Sequence, residues 1–228
     1  MRDISDEQLY EALKGYWGYG EFRGTQLETI RSVLAGRDTL ALMPTGAGKS
    51  LTYQLPGLIC DGLTIVVTPL IALMKDQVDS LRRKGISAVA IHSGLTTRKI
   101  DIELDNCVYG DVKFLYVSPE RISSEIFRSR MAKMKVNLVA VDEAHCISQW
   151  GYDFRPSYLR IARLREVQPD VPVLALTASA TGRVVDDIME KLKCREKGVI
   201  RRDFSRPNLS FTVRRTDDKK GQLLRVLS

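Results

Sequence analysis

The chain has little of what marks a secreted or membrane protein. Within its 228 residues no apolar run approaches the roughly 20 residues that a membrane-spanning helix needs, and no secretory signal opens the sequence. Its cysteines are scattered and form no C-x-x-C pair, so small buried apolar groups are a better interpretation than disulfides or zinc ligands. They are Cys60, Cys107, Cys146 and Cys194. We therefore expect a reducing, cytoplasmic setting and no membrane partner.

Strong charge is also missing from most of the chain. The formal net charge is +7, but residues 193–228 hold eleven Lys/Arg and four Asp/Glu, which accounts for all of it. Residues 1–192 therefore sum to zero, and the overall charge gives little support for nucleic-acid binding. The basic tail fits a solvated linker equally well. No internal repeat or low-complexity segment occurs, and 44% hydrophobic residues suffice for one substantial core.

Strand and helix patterns alternate along the chain, which predicts an α/β fold with a mostly parallel central sheet and helices on both faces. The predicted strands are 39–43, 63–68, 88–92, 113–118, 136–141 and 173–177. The predicted helices are 24–34, 51–56, 70–84, 96–108, 119–134, 157–167 and 182–192, with an opening helix from about Ser5 and a last one from about Lys219. Ser5 and Gln8 form a capping box at the start of the first helix.

A glycine-rich segment, MPTGAGKS at 43–50, follows the first predicted strand and leads into a helix. Glycines at such a turn let backbone N–H groups approach phosphates, and the helix N-terminus adds partial positive charge. Lys49 would contact the outer phosphates, and the Ser50 hydroxyl would bind Mg²⁺. Met43 stands where the full pattern has glycine, so a glycine-rich surface turn is the alternative. The candidate nucleotide-binding residues are Thr45, Gly46, Ala47, Gly48, Lys49 and Ser50.

An acidic pair follows the apolar run 136–141, which is typical of a parallel strand covered on both faces. Asp142 and Glu143 would then lie at the sheet edge where doubly wound folds bind ligands. Asp142 can hold the same Mg²⁺ as Ser50, and Glu143 can activate the water that attacks the terminal phosphate. A helix N-cap would explain a single Asp. The pair together with Lys49 predicts an NTPase site.

Seven segments together resemble RecQ-type DNA helicases of superfamily 2, and the resemblance covers essentially the whole chain. They are YGEFRGTQ (19–26), MPTGAGKS (43–50), VTPLIALMKDQ (67–77), SPER (118–121), DEAHCISQWGYDFRP (142–156), LTASA (176–180) and FSRPN (204–208). The phosphate loop of this family commonly begins M-P-T-G, which accounts for Met43. DEAH alone would also admit RNA helicases, whereas the longer segment is specific. The resemblance implies a RecA-like P-loop NTPase domain that uses ATP and Mg²⁺.

The resemblance assigns an adenine site to Tyr19, Arg23 and Gln26. A ring and a guanidinium would sandwich the base, and an amide with both donor and acceptor can select adenine. The alternative is a hydrophobic patch of Tyr16, Trp17 and Tyr19 that pins the first helix, which we favour for Trp17.

The resemblance also implies a loop that senses single-stranded DNA just beyond the acidic pair. It holds Trp150, Tyr152, Phe154 and Arg155, and exposed rings beside a guanidinium suit base stacking and phosphate contact. Gly151, Asp153 and Pro156 argue against an edge strand, and packing is the alternative to sensing.

Further residues receive roles by resemblance or by position. His145 would link the nucleotide and DNA sites and is counted with Lys49, Asp142 and Glu143 as catalytic. Thr177 and Ser179 would hydrogen-bond toward the acidic pair, or else cap the next helix.

Hydroxyl and basic groups end two other strands, where they would grip phosphates without reading bases. They are Thr68 with Lys75, and Ser118 with Arg121. The run 82–84 is interpreted as a solvated helix end.

The sequence therefore predicts the first motor lobe of a 3′-to-5′ DNA helicase, with single-stranded DNA and 3′-overhang duplexes as partners. We expect residues 1–200 to form this lobe, including an adenine-recognition region at 1–36. Residues 201–228 would be a linker into a truncated second RecA-like lobe, so the cleft would be incomplete and unwinding absent. A nucleotide-dependent DNA- or protein-binding module is the alternative, and an RNA-directed motor is less favoured.

Overall fold

The computed structural model describes residues 4–151, 153–196, 198–201, 209–210, 212–213 and 215–227. Within them, seven strands form one sheet in the order β3-β4-β2-β5-β6-β1-β7, and every pairing is parallel. The strands are β1 Thr39–Leu42, β2 Leu63–Val67, β3 Ala88–Ile91, β4 Phe114–Val117, β5 Val136–Val141, β6 Val173–Thr177 and β7 Gly198–Arg201. The predicted α/β class with a parallel sheet is confirmed.

Helices connect the strands and cover both faces of the sheet. The α-helices are α1 Asp6–Trp17, α2 Gln26–Leu34, α3 Leu51–Ile59, α4 Ile71–Arg83, α5 Thr97–Tyr109, α6 Glu125–Met131, α7 Leu164–Val167, α8 Gly182–Lys191 and α9 Lys219–Leu227. Short 3₁₀ helices run over Pro119–Ser123, Ala144–Ile147 and Pro156–Arg163. Among the described residues, none of these helices combines the length and apolar character needed to cross a membrane.

The period of two in a strand divides the core into two layers. Leu40 and Leu42 point into a cluster with α5, α6 and α8, whereas Ala41 and Met43 point into a cluster with α3 and α4. Both clusters are buried, so the central strands are apolar on both faces, as a parallel sheet requires. The carboxyl ends of the strands are thereby left as the accessible edge where loops can carry a site.

A third apolar cluster attaches the N-terminal helices to this core. Leu9 and Leu13 of α1 pack with Ile30 of α2 and Leu55 of α3, and Trp17 lies half-buried against them. The predicted capping box is present, with the Ser5 hydroxyl accepting a hydrogen bond from the backbone N–H of Gln8.

The main differences from the sequence predictions concern two helices and one strand. The predicted helix 119–134 is broken at Ser124, whose extended backbone ends one 3₁₀ helix and caps α6. The predicted helix 157–167 is mostly 3₁₀ helix, beginning at Pro156. Strand β7 has no counterpart among the predicted strands, because four residues of mixed burial give no usable pattern. The segment 204–208 of the family resemblance lies outside the described residues.

Candidate nucleotide site and adjoining aromatic loop

The segment between β1 and α3 is shaped by two glycines. Gly46 has φ +80° and Gly48 has φ +75°, conformations that a residue with a Cβ adopts only with strain. The first residue of the segment, Met43, is fully buried and its N–H donates to the Thr177 carbonyl. Position 43 thus directly follows β1 and continues its hydrogen bonding to β6, and the glycines that shape the turn come later.

The acidic pair meets this segment across the sheet edge. Strand β5 is separated from β1 by β6 alone, and Lys49 Nζ lies 3.6 Å from Glu143 Oε1. Asp142 Oδ1 accepts a hydrogen bond from the Glu143 N–H, and Glu143 makes no side-chain cap of the following 3₁₀ helix. The structure therefore brings Lys49, Asp142 and Glu143 together, and helix capping does not explain the pair.

The backbone and charge of the acidic pair are both perturbed. Glu143 has φ +47°, a left-handed conformation that is uncommon for a residue other than glycine. Burial raises the pKa of the Asp142 carboxyl and the Glu143 charge raises it further, while Lys49 opposes both. Positive charge near Asp142, here that of Lys49, therefore favours the ionised carboxylate.

The oxygen atoms available for a cation also converge. Ser50, Thr68 and Asp142 line one cavity of about 20 Å³, and the buried Thr68 hydroxyl has no partner among the described residues. No cluster of three or more His, Cys, Asp or Glu in the described part of the chain could hold a metal. One hydroxyl and one carboxylate fit Mg²⁺, which takes few protein ligands and completes its shell with phosphate and water oxygens.

His145 joins the acidic pair to the end of β6. Its Nδ1 lies 2.9 Å from the Thr177 hydroxyl oxygen and 3.4 Å from Glu143 Oε2. The alternative role of residues 177–179 as a helix cap is wrong, because Thr181 caps α8 by accepting from the Val184 N–H.

A buried tyrosine missed by sequence reasoning supports the same pair from behind. Tyr158 is fully buried, and its hydroxyl donates a hydrogen bond of 2.9 Å to the Asp142 carbonyl oxygen. Burial raises its pKa, so it stays protonated as a donor. The signal was its place in the apolar spacing of Tyr158, Ile161 and Ala162.

The predicted adenine-site residues lie beside the phosphate loop. The Arg23 guanidinium carbon is 5.5 Å from the centre of the Tyr19 ring, which is 49% exposed. Gln26 is buried instead, with Nε2 donating to the Ala47 carbonyl at 3.0 Å and Oε1 accepting from the Arg23 N–H. The side-chain amide of Gln26 is therefore occupied by hydrogen bonds within the protein.

Among the described rings of the loop beyond the acidic pair, that of Trp150 is the most exposed to solvent. Trp150 is 58% exposed, and Phe154 is half-buried. Arg155 forms an ion pair with Asp153, 2.7 Å between Nη2 and Oδ2. Tyr152, the fourth predicted sensor residue, lies outside the described residues.

The residues predicted to grip phosphates are less exposed than expected. Thr68 and Ser118 are each 3% exposed, and neither hydroxyl has a partner among the described residues. Arg121 is half-buried and donates to the Ser93 carbonyl. Among the basic groups, Lys75 is exposed, and the run 82–84 is an exposed helix end as predicted.

A glycine-shaped phosphate loop that faces an acidic pair across a parallel sheet defines a P-loop nucleoside triphosphatase domain. The sequence model of the DEAD/DEAH box helicase family matches residues 23–188, and the chain belongs to that family. The resemblance to RecQ-type helicases is confirmed by relatives. The chain is 43% identical to the ATP-dependent DNA helicase RecQ of Haemophilus influenzae over 224 residues, which are 98% of this chain and 36% of that protein.

Other relatives agree on both family and extent. The ATP-dependent DNA helicase RecQ of Bacillus subtilis is 46% identical over 209 residues, covering 91% of this chain and 35% of that protein. The chain thus spans about a third of the length of these curated relatives. Among solved structures, DEAD-box helicase Mss116 bound to ssRNA and UDP-BeF superposes with a TM-score of 0.69 at 17% identity, over 90% of this chain and 44% of that one. This last similarity shows the fold alone.

Proposed function

We propose that the chain is the first motor lobe of a RecQ-like, ATP-dependent 3′-to-5′ DNA helicase, which couples ATP hydrolysis to movement along single-stranded DNA. The observation that carries this proposal is the convergence of Lys49 with Glu143, and of Ser50 with Asp142, at one sheet edge. The RecQ relatives support DNA as the substrate, and 3′-overhang duplexes are the partner that we assign to the whole helicase.

The residues of the site divide the work of hydrolysis. The Lys49 ammonium binds the outer phosphate oxygens, and the N–H groups of the loop at 45–48 bind the others. The Glu143 carboxylate orients the attacking water and accepts its proton. Ser50 and Asp142 would hold Mg²⁺, which when bound neutralises charge on the phosphates. His145 ties Glu143 to Thr177, so the base is oriented by a neighbouring strand.

We assign the adenine base to Tyr19, Arg23 and Gln26. Reading of adenine by Gln26 requires the amide to leave at least one of its present hydrogen bonds to the chain. We assign DNA to the loop of Trp150, Tyr152, Phe154 and Arg155, with backbone phosphates at Thr68, Ser118 and Arg121. Since Thr68 and Ser118 are buried, their hydroxyls would reach a phosphate only at the floor of a groove.

For the domain arrangement we propose a lobe over 1–200, with residues 201–228 leading toward a second RecA-like lobe. ATP would bind between the two lobes, and unwinding would require both. The alternative function is a nucleotide-dependent binding module without unwinding.

The test is ATPase activity with and without single-stranded DNA, for this chain and for a longer protein that includes a second lobe. We expect slow hydrolysis by this chain, stimulation by DNA in the longer protein, and loss of both on Lys49→Ala. Trp150→Ala should abolish the stimulation while sparing DNA-independent hydrolysis. Hydrolysis unaffected by Lys49→Ala would refute the site, and undiminished stimulation of Trp150→Ala would refute the sensor. ATP-dependent binding of DNA by a longer protein that never unwinds would favour the binding module.

A further inference from the structure

One face of α8 contacts the aromatic loop through three charged side chains. Arg183, Asp187 and Lys191 are spaced by four residues and therefore lie in a row along the helix. Lys191 Nζ donates to the Ile147 carbonyl oxygen at 3.4 Å and pairs with Asp187 at 2.9 Å. Sequence reasoning missed this row, whose signal is the spacing R-x-x-x-D-x-x-x-K after the LTASA segment.

The middle member of the row fixes the backbone that carries Trp150. The Ser148 side chain lies close enough to Asp187 to lower the pKa of that carboxyl. The Ser148 oxygen in turn accepts from the Trp150 N–H at 3.2 Å, and Ser148 is fully buried. Gly151 completes the turn, since a Cβ at this position would lie 2.4 Å from the His145 carbonyl oxygen. Trp150 is therefore held in a defined position on α8.

The first member of the row stacks on the indole. The guanidinium carbon of Arg183 is 3.4 Å from the centre of the Trp150 ring, yet the tryptophan remains 58% exposed. One face of the ring is thus covered by a cation, which strengthens stacking, while much of the side chain stays open to solvent. Arg183 is itself exposed, and its N–H donors form no hydrogen bond or ion pair with another described residue.

The position of this cation is unfavourable for the helix alone. Arg183 is the second residue of α8, where the helix dipole disfavours positive charge, and the first turn carries no acidic residue. The attraction of Asp187, one turn along, offsets part of this cost, and the contact with Trp150 gives the arginine a further role.

From this geometry we propose that Arg183 and Trp150 form a subsite for one nucleotide of single-stranded DNA. A base stacks on the open face of Trp150, and the guanidinium of Arg183 donates to an adjacent backbone phosphate while it stays on the other face. The inference extends the proposed function and depends on the aromatic loop contacting DNA. It adds Arg183, from a different element, to the residues that contact the strand.

The test uses intrinsic fluorescence of the full chain. The sequence contains two tryptophans, so Trp17→Phe leaves Trp150 as the sole indole. Titration with oligothymidylate should quench Trp150, while an abasic oligonucleotide of equal length should bind without quenching, because it offers phosphates and no bases.

Arg183→Ala should weaken oligothymidylate binding roughly tenfold at low salt, as expected for a charge-assisted hydrogen bond. It should also lower the slope of log affinity against log salt by about 0.7, the contribution of one phosphate contact on a single strand. Arg183→Lys should keep that slope. The exposed Arg128 on α6 supplies the matched control, and Arg128→Ala should change neither quantity.

Each failure has its own meaning. An unchanged salt slope in Arg183→Ala, or tighter binding because the arginine merely covers the ring, overturns the subsite and leaves the aromatic loop as the sensor. If oligothymidylate neither binds nor quenches Trp150 in the Trp17→Phe chain, the proposed contact between the loop and DNA fails together with the subsite.

Discussion

Removing one buried carboxylate at the start of β1 should destabilise the whole domain. Asp38 is fully buried, and Oδ2 lies 2.5 Å from Arg165 Nη2 and 3.1 Å from Arg195 Nε. Its oxygens also accept from the backbone N–H groups of Val173 and Arg195, at 2.9 and 2.7 Å. One side chain therefore joins the entrance of β1 to β6 and to the segment after α8.

The size of the effect follows from its pKa. Burial alone would raise the pKa of Asp38, but the hydrogen bonds from Arg195 and the ion pair with Arg165 outweigh it and lower the pKa from 3.8 to about 2. At about 1.4 kcal/mol for each pKa unit, this corresponds to about 2.5 kcal/mol of stability at neutral pH. Asp38→Asn also leaves a largely buried Arg165 without its anionic partner, so we expect a loss of about 3 kcal/mol.

The stabilisation by Asp38 should decrease as the pH falls. Because the pKa is lower in the folded state, the stabilisation is complete above the unfolded value of 3.8 and disappears as the pH falls toward about 2. The difference between wild type and Asp38→Asn should therefore shrink from neutral pH to about pH 3. Urea denaturation followed by circular dichroism at both pH values measures it.

A surface carboxylate provides the control. Asp6 pairs with Arg31 on the exposed side of α1, and Asp6→Asn should cost about 0–1 kcal/mol. If Asp38→Asn costs no more than Asp6→Asn, or if its cost at about pH 3 equals that at neutral pH, the reasoning is refuted.

Three further substitutions test the site. Gly48→Ala should destabilise the fold by about 1–2 kcal/mol and weaken ATP binding, because the φ of Gly48 is +75° and the new Cβ would lie 2.4 Å from Gln26 Nε2. Denaturation measures the loss of stability, and nucleotide titration measures the loss of affinity. Glu143→Gly should stabilise the fold by about 0.5–1 kcal/mol while abolishing hydrolysis, since it relieves a left-handed backbone at φ +47°; thermal melting and ATPase assays test this. Tyr158→Phe should cost about 1–2 kcal/mol in urea denaturation, because the buried Asp142 carbonyl loses its donor.

Each of the three has a distinct refuting result. Gly20→Ala is the control for Gly48→Ala, since no atom lies within 4 Å of its new Cβ, and equal effects would deny a special role to Gly48. A destabilised Glu143→Gly would show that the glutamate backbone is not strained. A Tyr158→Phe variant as stable as wild type would show that water replaces the hydroxyl.

The sheet was predictable because a parallel strand that is buried on both faces appears in the sequence as an apolar run. Strands β1 to β6 all have this character, whereas β7 packs β1 at an edge with only Ile200 buried. Its fit depends on Gly198, where a Cβ would lie 2.6 Å from the Asp38 carbonyl oxygen. Such a close approach arises only in the assembled sheet, and the local sequence pattern does not indicate it.

The sequence indicated the charged side chains of the candidate site, but not the residues that hold them in place. Lys49 and Glu143 stand in segments whose composition indicates their chemistry. Tyr158 contacts Asp142, and Arg183 contacts Trp150 of the neighbouring loop, from elements whose sequence is typical of ordinary helices. The use of Gln26 was also beyond sequence reasoning, because its amide binds carbonyls of a loop that is remote in the chain.

The hydrogen bonds at the base of the aromatic loop have a consequence for the entropy of binding. The Arg155 N–H donates to the Cys146 carbonyl at 2.8 Å, and the Tyr158 hydroxyl donates to the Asp142 carbonyl. Two hydrogen bonds therefore link the end of the loop to its beginning. A segment that is already restrained by its own hydrogen bonds loses little conformational entropy when a ligand binds to it. In the proposed contact with DNA, a strand stacking on Trp150 would therefore lose less of its stacking energy to the ordering of this loop.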